Sequence, residues 1–220
     1  QTPTIFTGTM SQGKIVLMAC GSFSPPTYMH LRMFEIAKDY ISSLGLGTVV
    51  GGIMSPVHDA YGKKDLVAYM LTGSRIAMLK LALRSSGWIK VSEWETQQSG
   101  WTRTRISMHI LNGCGYIFQI TVKLLCGGDL LESFATPGLW SDEDVSTHCL
   151  ASRFSAFQSS ETLKLSTVIR RLVRRAESAK YLTDDAVLQY IKQYKLYNAR
   201  ELKLPTTNNK QMTKYICISN

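Results

Sequence analysis

Two side chains near the amino end of the chain are spaced to act on an anion. Thr27 and His30 lie three residues apart, so they would share one face at the start of a helix. They follow an apolar run that ends at Gly21, and Ser22 adds a hydroxyl to the turn. Glycine lets an anion approach the backbone, and a helix start offers unpaired amides. This arrangement predicts a phosphate site, although a lone histidine at a helix start is more often structural.

The elements that would position these residues alternate between strands and helices. Apolar runs predict four short buried strands, at residues 15–19, 48–54, 88–91 and 121–126. Helical periodicity predicts helices at residues 30–43 and 73–85 and a helical C-terminal third. This alternation is typical of right-handed crossovers and a mainly parallel sheet, in which ligands bind at the carboxyl ends of strands. The glycine turns after Ala19 and Cys126 should therefore open toward one edge.

The size and charge of the chain limit its class. Its 220 residues, 45% of them hydrophobic, suit one domain with a substantial core, which we place at residues 10–204. The net charge of +9 indicates an anionic partner: a nucleotide, a nucleic acid or a membrane surface. Much of the excess lies in one helical pattern, at Lys164, Arg170, Arg171, Arg174, Arg175 and Lys180. A solvated basic face explains that cluster as well as a bound polyanion does.

The cysteines indicate the cellular compartment of the protein, and the chain ends indicate where the folded part begins and stops. Five widely spaced cysteines without a C-x-x-C pair encode neither a disulfide framework nor a zinc site, which favours a reducing compartment. No run approaches the roughly 20 apolar residues of a membrane span. We therefore expect a soluble intracellular protein, cytoplasmic or nuclear. Met10 is the expected natural start, with residues 1–9 as a disordered leader and 205–220 as a disordered tail.

Further polar residues follow strands and could contact a nucleotide. Gly127 and Asp129 come directly after the fourth strand. In dinucleotide sites a glycine there permits close approach, and a carboxylate accepts ribose hydroxyls. Asp129 could equally cap a helix. On sequence alone, Lys63 and Lys64 in the segment AYGKK could be ordinary loop lysines.

Several motifs taken together resemble one known family. The segment GSFSPPTYMHL is similar to the nucleotidylyltransferase signature G-x-F-x-P-x-[HT]-x-x-H. The resemblance continues through MSPVHDAYGKKDL, WETQQSGW, KLLCGGDLLESFATPGLW and LSTVIRR. In this order the blocks resemble the eukaryotic nicotinamide/nicotinate mononucleotide adenylyltransferases, over roughly residues 14–145 and 165–197. The first block alone would indicate only the superfamily.

The resemblance implies a fold and an activity. The fold is a Rossmann-like three-layer α/β/α nucleotidylyltransferase fold, with a mainly parallel sheet and a C-terminal helical part. The activity is transfer of AMP from ATP to nicotinamide or nicotinate mononucleotide, giving NAD or its deamido form and pyrophosphate. Because the attacking phosphate is already an anion, catalysis would need positioning and charge neutralisation rather than a strong base. Mg²⁺ would be held mainly by the ATP phosphates. The preferred mononucleotide and a homo-oligomeric state stay open.

The resemblance also implies the residues that face ATP. Those expected around the ATP phosphates are Gly21, Ser22, Phe23, Thr27 and His30, with Lys63 reaching one phosphate. Those expected to grip the β- and γ-phosphates are Ser166, Thr167 and Arg170. A guanidinium suits that task because it can hold two phosphate oxygens at once. We expect His30, Arg170 and Lys63 to be the catalytic residues.

The mononucleotide side follows from the same motifs. The matching residues are Tyr61, Trp101, Thr104, Gly127, Asp129, Leu139 and Trp140. Trp101 would stack on the pyridine ring through its flat indole. Without the resemblance, an isolated tryptophan such as Trp101 or Trp140 is more often part of the core.

The sequence departs from the family in two segments. Residues 105–120 lack the usual helical pattern and any long basic insertion, and residues 146–163 match no family residue. In addition, Val168 stands where the family has a lysine. We therefore expect a sheet that is narrower on one side, and a chain that transfers AMP more weakly than a full family member.

Two other functions compete with the enzyme. A truncated, catalytically weak family member could act as a nucleotide-binding or chaperone-like module without turnover. A basic helix over residues 170–175 could instead bind nucleic acid, in which case affinity would fall steeply with salt. No aromatic platform or known recognition motif supports a specific nucleic-acid partner. ATP and the mononucleotide are thus the expected partners, with NAD as the product.

Overall fold

A parallel sheet forms the centre of the molecule. The computed structural model describes residues 13–60, 72–116, 120–127 and 165–200, with the single positions 133, 136, 140 and 141. Its strands are β1 (Lys14–Gly21), β2 (Thr48–Pro56), β3 (Ile89–Val91) and β4 (Ile120–Leu124). They form one sheet in the order β3-β2-β1-β4, and every neighbouring pair is parallel. The four predicted strands and the parallel sheet are confirmed, with ends that differ by up to two residues.

Helices connect these strands and continue the chain beyond them. They are α1 (Tyr28–Ser43), α2 (Thr72–Ala82), α3 (Thr104–Tyr116), α4 (Leu165–Arg174) and α5 (Asp185–Gln193). Short 3₁₀ turns lie at Glu95–Gln97 and Leu196–Asn198. Among the helices that the model describes, none is long and apolar enough to cross a membrane.

The two faces of β1 bury different layers, which makes the architecture α/β/α. Ile15, Leu17 and Ala19 point to one face, where they pack with buried side chains of α1 and α2. Met18 points to the opposite face and packs with Met108 of α3. Side chains alternate along a strand, so a strand covered on both faces is apolar at nearly every position. The expected three-layer fold is confirmed.

Helix α3 corrects a sequence-based expectation. Residues 105–120 were expected to lack a helix, because Gly113 and Gly115 and several β-branched residues give the segment low helix propensity. The helix nevertheless forms, since Ser107 and Met108 are buried against the sheet. The side chain of Asn112 also accepts a 2.8 Å hydrogen bond from the amide of Val122 in β4. Tertiary packing thus overrides local propensity here.

The C-terminal helices pack on α2 rather than on the sheet. Ile169 and Val173 of α4 and Val187 and Ile191 of α5 share a buried cluster with Met78 and Ala82 of α2. Asp184 caps α5, because its carboxylate accepts a 2.8 Å hydrogen bond from the amide of Ala186. The buried residues of α4 are Ile169 and Val173.

The strand order reverses between β1 and β4, and this reversal positions the site. From β1 the chain proceeds outward through β2 to β3, and then returns to pair β4 with the other side of β1. Met18 pairs with Leu124 in that register. Consequently Gly21, the last residue of β1, and Gly127, which follows β4, lie at the same carboxyl edge. A crevice at such a reversal is where open α/β sheets bind ligands.

We predict that strand β2 tolerates a methyl group at one glycine and not at its neighbour. A Cβ at Gly52 would lie 2.9 Å from Cδ1 of Phe34 and 3.0 Å from Cγ1 of Ile89, both fully packed side chains. Gly52→Ala should therefore cost about 1–3 kcal/mol of unfolding free energy. At Gly51 the nearest atom is 3.6 Å away, so Gly51→Ala should stay within about 0.5 kcal/mol of the native chain. Urea denaturation of both variants measures the difference, and equal stabilities would contradict it.

Candidate functional site

The loop between β1 and α1 forms the floor of the site. Phe23 has a φ of 46°, in the left-handed region that a side chain other than glycine rarely adopts. Its buried ring lies over Gly21, where an added Cβ would meet ring carbons at 3.4 Å. The carbonyl oxygen of Gly21 in turn accepts a 3.0 Å hydrogen bond from the amide of Val57. Strained backbone held by packing in this way is typical of functional loops.

Thr27 and His30 form a capping box at the start of α1. The Thr27 side chain accepts from the His30 amide, and the Thr27 amide donates to Nδ1 of His30 at 3.0 Å. The sequence predicted that the helix begins at His30. It begins at Tyr28, so His30 is its third residue. Because Nδ1 accepts a hydrogen bond, the proton of the neutral ring resides on Nε2. Nε2–H of His30 can therefore donate a hydrogen bond to an anion.

Burial favours the neutral form of the His30 imidazole. Removal of the ring from water lowers its pKa from the ordinary 6.5 to about 4. Phe23 contributes to that environment, since its ring meets the imidazole edge-on with centroids 5.2 Å apart. The ring thus offers a fixed N–H donor without carrying a charge of its own.

A buried arginine that sequence analysis did not identify supports the same loop. Arg75 of α2 is fully buried, and its Nη1 donates to the carbonyl oxygen of Ser22 at 3.3 Å. Its Nη2 donates to the Val57 carbonyl at 2.6 Å and to Oδ1 of Asp59 at 2.7 Å. The sequence contains one indication that Arg75 is buried. It lies three residues before Met78 and therefore on the apolar face of the helix.

Arg75 also fixes both ends of the segment that carries two predicted site residues. Asp59 precedes that segment, and Thr72 follows it and donates its amide to Oδ2 of Asp59 at 3.1 Å. Partial burial raises the pKa of Asp59, but hydrogen bonds from Thr72 and Arg75 outweigh this and bring it below its usual value. Tyr61 and Lys63 lie between these ends, outside the described residues.

Glu95 is a second buried ionisable group at the carboxyl edge of the sheet. It is 1% exposed and accepts a 3.2 Å hydrogen bond from the hydroxyl of Ser55 at the end of β2. Burial raises its pKa to about 7, although hydrogen bonds from Ser55 and the His58 amide and the charge of Arg75 oppose that rise. Glu95 belongs to the segment WETQQSGW, but that motif does not show that its carboxylate is buried.

The described residues predicted for the mononucleotide lie along the opposite half of this edge. Thr104, at the start of α3, hydrogen-bonds the thiol of Cys20 near the end of β1. Trp101 is 46% exposed, so a face of its indole is accessible. Arg103, between these two, donates to the hydroxyl of Ser141 at 3.4 Å. This contact joins the Trp101–Thr104 segment to Trp140.

Of the four remaining predicted residues of this half, the structure describes two. Trp140 donates its indole N–H to the hydroxyl of Ser133 at 3.0 Å. Gly127 follows β4 at the switch point. Asp129 and Leu139 lie outside the described residues.

The start of α4 contacts the loop between β1 and α1 directly. Arg170 is half-buried and donates from Nη1 to the Ser24 carbonyl at 2.6 Å, and from Nη2 to the hydroxyl of Thr167 at 2.9 Å. The hydroxyl of Ser166 donates to the Pro25 carbonyl at 2.8 Å. The structure therefore brings Ser166 and Arg170 to the loop that holds His30, over a separation of more than 130 residues. Ser166 acts there as a support of the loop.

Comparison with known proteins defines the class. The cytidylyltransferase-like family model matches residues 18–193 of the chain. That range includes the end of β1, strands β2, β3 and β4, the loop between β1 and α1, and the start of α4. The chain belongs to the cytidylyltransferase-like family of nucleotidyltransferases.

Individual relatives narrow the class further. The chain is 42% identical to nicotinamide-nucleotide adenylyltransferase of Drosophila melanogaster, over 84% of this chain and 61% of that protein. It is 40% identical to nicotinamide/nicotinic acid mononucleotide adenylyltransferase of Oryza sativa, over 84% of this chain and 87% of that protein. It thus spans about three-fifths of the fly protein and most of the rice one. Within the family, the chain belongs with the nicotinamide/nicotinic acid mononucleotide adenylyltransferases.

A solved structure agrees with this fold. Plasmodium falciparum nicotinic acid mononucleotide adenylyltransferase complexed with NaAD superimposes with a TM-score of 0.55. The alignment covers 85% of this chain and 98% of that chain, at 17% identity. At such low identity the similarity establishes the fold and not the substrate.

We predict that His30 titrates far below an ordinary histidine. In an NMR pH titration its C2 proton should show a midpoint near 4. Between pH 6.5 and 4 the unfolded chain would take up a proton that the folded chain refuses, so this group lowers stability as pH falls through that window. His30→Asn should lose that part of the pH slope, measured by urea denaturation at several pH values. A midpoint near 6.5 would show that the ring is solvated and ionisable.

Proposed function

We propose that the protein transfers AMP from ATP to nicotinamide or nicotinate mononucleotide in NAD biosynthesis. The 5′-phosphate of the mononucleotide attacks the α-phosphorus of ATP. A new P–O bond forms there as the bond to the β-phosphate oxygen breaks, and pyrophosphate leaves. The observation that carries this proposal is the convergence of Gly21, His30 and Arg170 on one loop at the switch point of the sheet. The names of the relatives support the choice of substrates.

The reaction requires the protein mainly to position the two substrates and to neutralise their charge. The nucleophile is an anion at neutral pH, so it needs no general base. The barrier arises from bringing several anions together and from the charge that grows on the leaving pyrophosphate. Fixed donors that meet this charge without reorganising supply the largest part of such catalysis.

His30 suits the role of a fixed donor to the transferring phosphoryl group. Its Nδ1 is occupied by Thr27, so the ring cannot rotate freely and Nε2–H keeps one direction. A neutral donor strengthens its hydrogen bond as negative charge grows on the phosphate oxygen. Around it, Gly21, Ser22 and Phe23 would let the backbone approach the ATP phosphates.

Arg170 suits the β- and γ-phosphates. Nη1 is held by the Ser24 carbonyl and Nη2 by Thr167, which fixes the plane of the guanidinium at the loop. Partial burial lowers its pKa, and the neighbouring Tyr197 and Arg174 modify that shift in opposite directions. Thr167 is exposed beside it and could add a hydroxyl to the same phosphates. We infer a matching role for Lys63 from the family motif.

Mg²⁺ would enter with ATP as part of the substrate. Among the described residues there is no group of three or more histidine, cysteine, aspartate or glutamate side chains placed to bind a metal ion. The ion would neutralise the polyphosphate and favour departure of pyrophosphate. The residues near the loop are donors to anions, so they complement a metal-bound triphosphate and do not compete for its ion.

For the mononucleotide we propose the opposite half of the edge. The accessible indole of Trp101 would stack on the pyridine ring, with Thr104 beside it at the end of β1. Gly127 would allow close approach of the ribose. The other residues inferred from the family motif for this half are Tyr61, Asp129, Leu139 and Trp140. The neighbouring Plasmodium structure holds NaAD, a dinucleotide that would span both halves.

The decisive test is an assay of NAD formation, with His30→Ala as the site variant. We expect the native chain to form NAD from MgATP and nicotinamide mononucleotide, and the variant to be slower by on the order of 10²-fold or more. Loss of the imidazole removes the donor that meets the growing charge. Thermal unfolding of the variant must show a folded chain. MgATP binding without any turnover by the native chain would instead favour the nucleotide-binding module.

A pair of conservative variants tests the arginine at the loop. Arg170→Lys should raise the KM for ATP by roughly tenfold, because a point charge cannot hold two acceptors in a plane. Arg174→Lys, one turn later and exposed, should change it less than about twofold. Steady-state kinetics with varied MgATP measures both. The same KM for ATP in the two variants would exclude Arg170 as the phosphate clamp.

A further inference from the structure

Three successive carbonyls of the phosphate loop accept hydrogen bonds from the C-terminal helical part. The donors are Arg170 to the Ser24 carbonyl at 2.6 Å, Ser166 to the Pro25 carbonyl at 2.8 Å, and Thr183 to the Pro26 carbonyl at 2.7 Å. Two consecutive prolines cannot donate, and all three residues of the loop are buried. The loop therefore takes its conformation from side chains about 140 to 160 positions away in the sequence.

A fourth contact comes from a residue that the family motifs do not include. The hydroxyl of Tyr197 lies 3.0 Å from Oγ of Ser24. Tyr197 is 4% exposed and Ser24 is 2% exposed, so neither hydroxyl has water as a ready alternative partner. Burial raises the pKa of Tyr197 well above its usual value, so its hydroxyl is neutral at physiological pH.

The backbone around Tyr197 is strained, which indicates that its position is imposed by the fold. Lys195, Tyr197 and Asn198 have positive φ angles of 49°, 58° and 56°. Such conformations are unfavourable for side chains other than glycine and persist only where the surroundings hold them. The Tyr197 ring belongs to the buried cluster formed by α2, α4 and α5. A buried, packed part of the molecule thus holds the Tyr197 hydroxyl next to Ser24.

We propose that Tyr197 is a positioning residue for the phosphate site, acting through Ser24 on Arg170. Ser24 stands between the two: its hydroxyl meets Tyr197 and its carbonyl receives the guanidinium. Ser24 also precedes the prolines and follows Phe23, so its displacement would move the floor of the site. Loss of one hydroxyl would shift the guanidinium relative to the ATP phosphates. The kinetic part of this inference rests on the proposed function.

The test compares Tyr197→Phe with Tyr194→Phe. Phenylalanine keeps the ring in the cluster and removes only the hydroxyl, whereas Tyr194 is 56% exposed and serves as the matched control. We expect Tyr197→Phe to weaken MgATP binding in calorimetry and kcat/KM for ATP by on the order of tenfold. The KM for the mononucleotide should change less than twofold. Tyr194→Phe should leave all three values unchanged.

A second variant tests whether Tyr197 acts through Ser24. If Tyr197 acts through Ser24, then Ser24→Ala and the double variant should weaken MgATP binding about as much as Tyr197→Phe alone. Losses that multiply in the double variant would overturn this route. A lower melting temperature of Tyr197→Phe with native MgATP affinity would show a purely structural role and overturn the proposal.

Calorimetry also separates the two hypotheses. A native chain that binds MgATP without turnover would contradict the proposed function alone, and the affinities of the variants would still decide the role of Tyr197. A native chain that binds no MgATP would overturn both.

Discussion

The site depends on one constraint, the need to satisfy the buried carbonyls of the loop between β1 and α1. A buried carbonyl without a donor costs about 1–3 kcal/mol, and a loop with two prolines supplies few donors itself. Every described donor to the carbonyls of Ser22, Ser24, Pro25 and Pro26 is a side chain from a distant part of the sequence: Arg75, Arg170, Ser166 and Thr183. The loop is therefore shaped by the whole fold.

This arrangement couples the phosphate site to the rest of the molecule in both directions. Arg75 ties the loop to α2 and to both ends of the 61–71 segment, while Arg170 and Ser166 tie it to α4. The charge of Arg75 is matched by Asp59, at 2.7 Å, so burial of this guanidinium leaves no unbalanced charge. Arg170 has no such carboxylate among its described hydrogen-bond partners, which are a carbonyl and a hydroxyl. This difference supports the proposed role of Arg170 as the residue that binds the ATP phosphates.

Local patterns predicted the sheet but not the long-range supports. The four strands were predictable because apolar, β-branched runs bounded by glycine and proline carry their own signal. The Thr27–His30 spacing placed both side chains at a helix start, but their mutual hydrogen bonds as a capping box were not predicted. Helix α3 was missed because its stability comes from packing on β4. Arg75 and Glu95 were missed because burial of a charge depends on partners supplied by the fold. Tyr197 contacts Ser24 across 173 positions, a pairing that no local pattern contains.

The proposed reaction needs no base, and this would explain a rigid loop. A histidine with a pKa of about 4 would be a poor proton acceptor at pH 7, yet it is a good donor whose direction is fixed by Thr27. A fixed donor contributes to catalysis only if the loop that carries it does not relax when the phosphates arrive. Burial of Ser24, Pro25 and Pro26 and the donors that hold their carbonyls satisfy that condition. The strain at Phe23 and the polar contacts behind it are then two aspects of the same preorganised site.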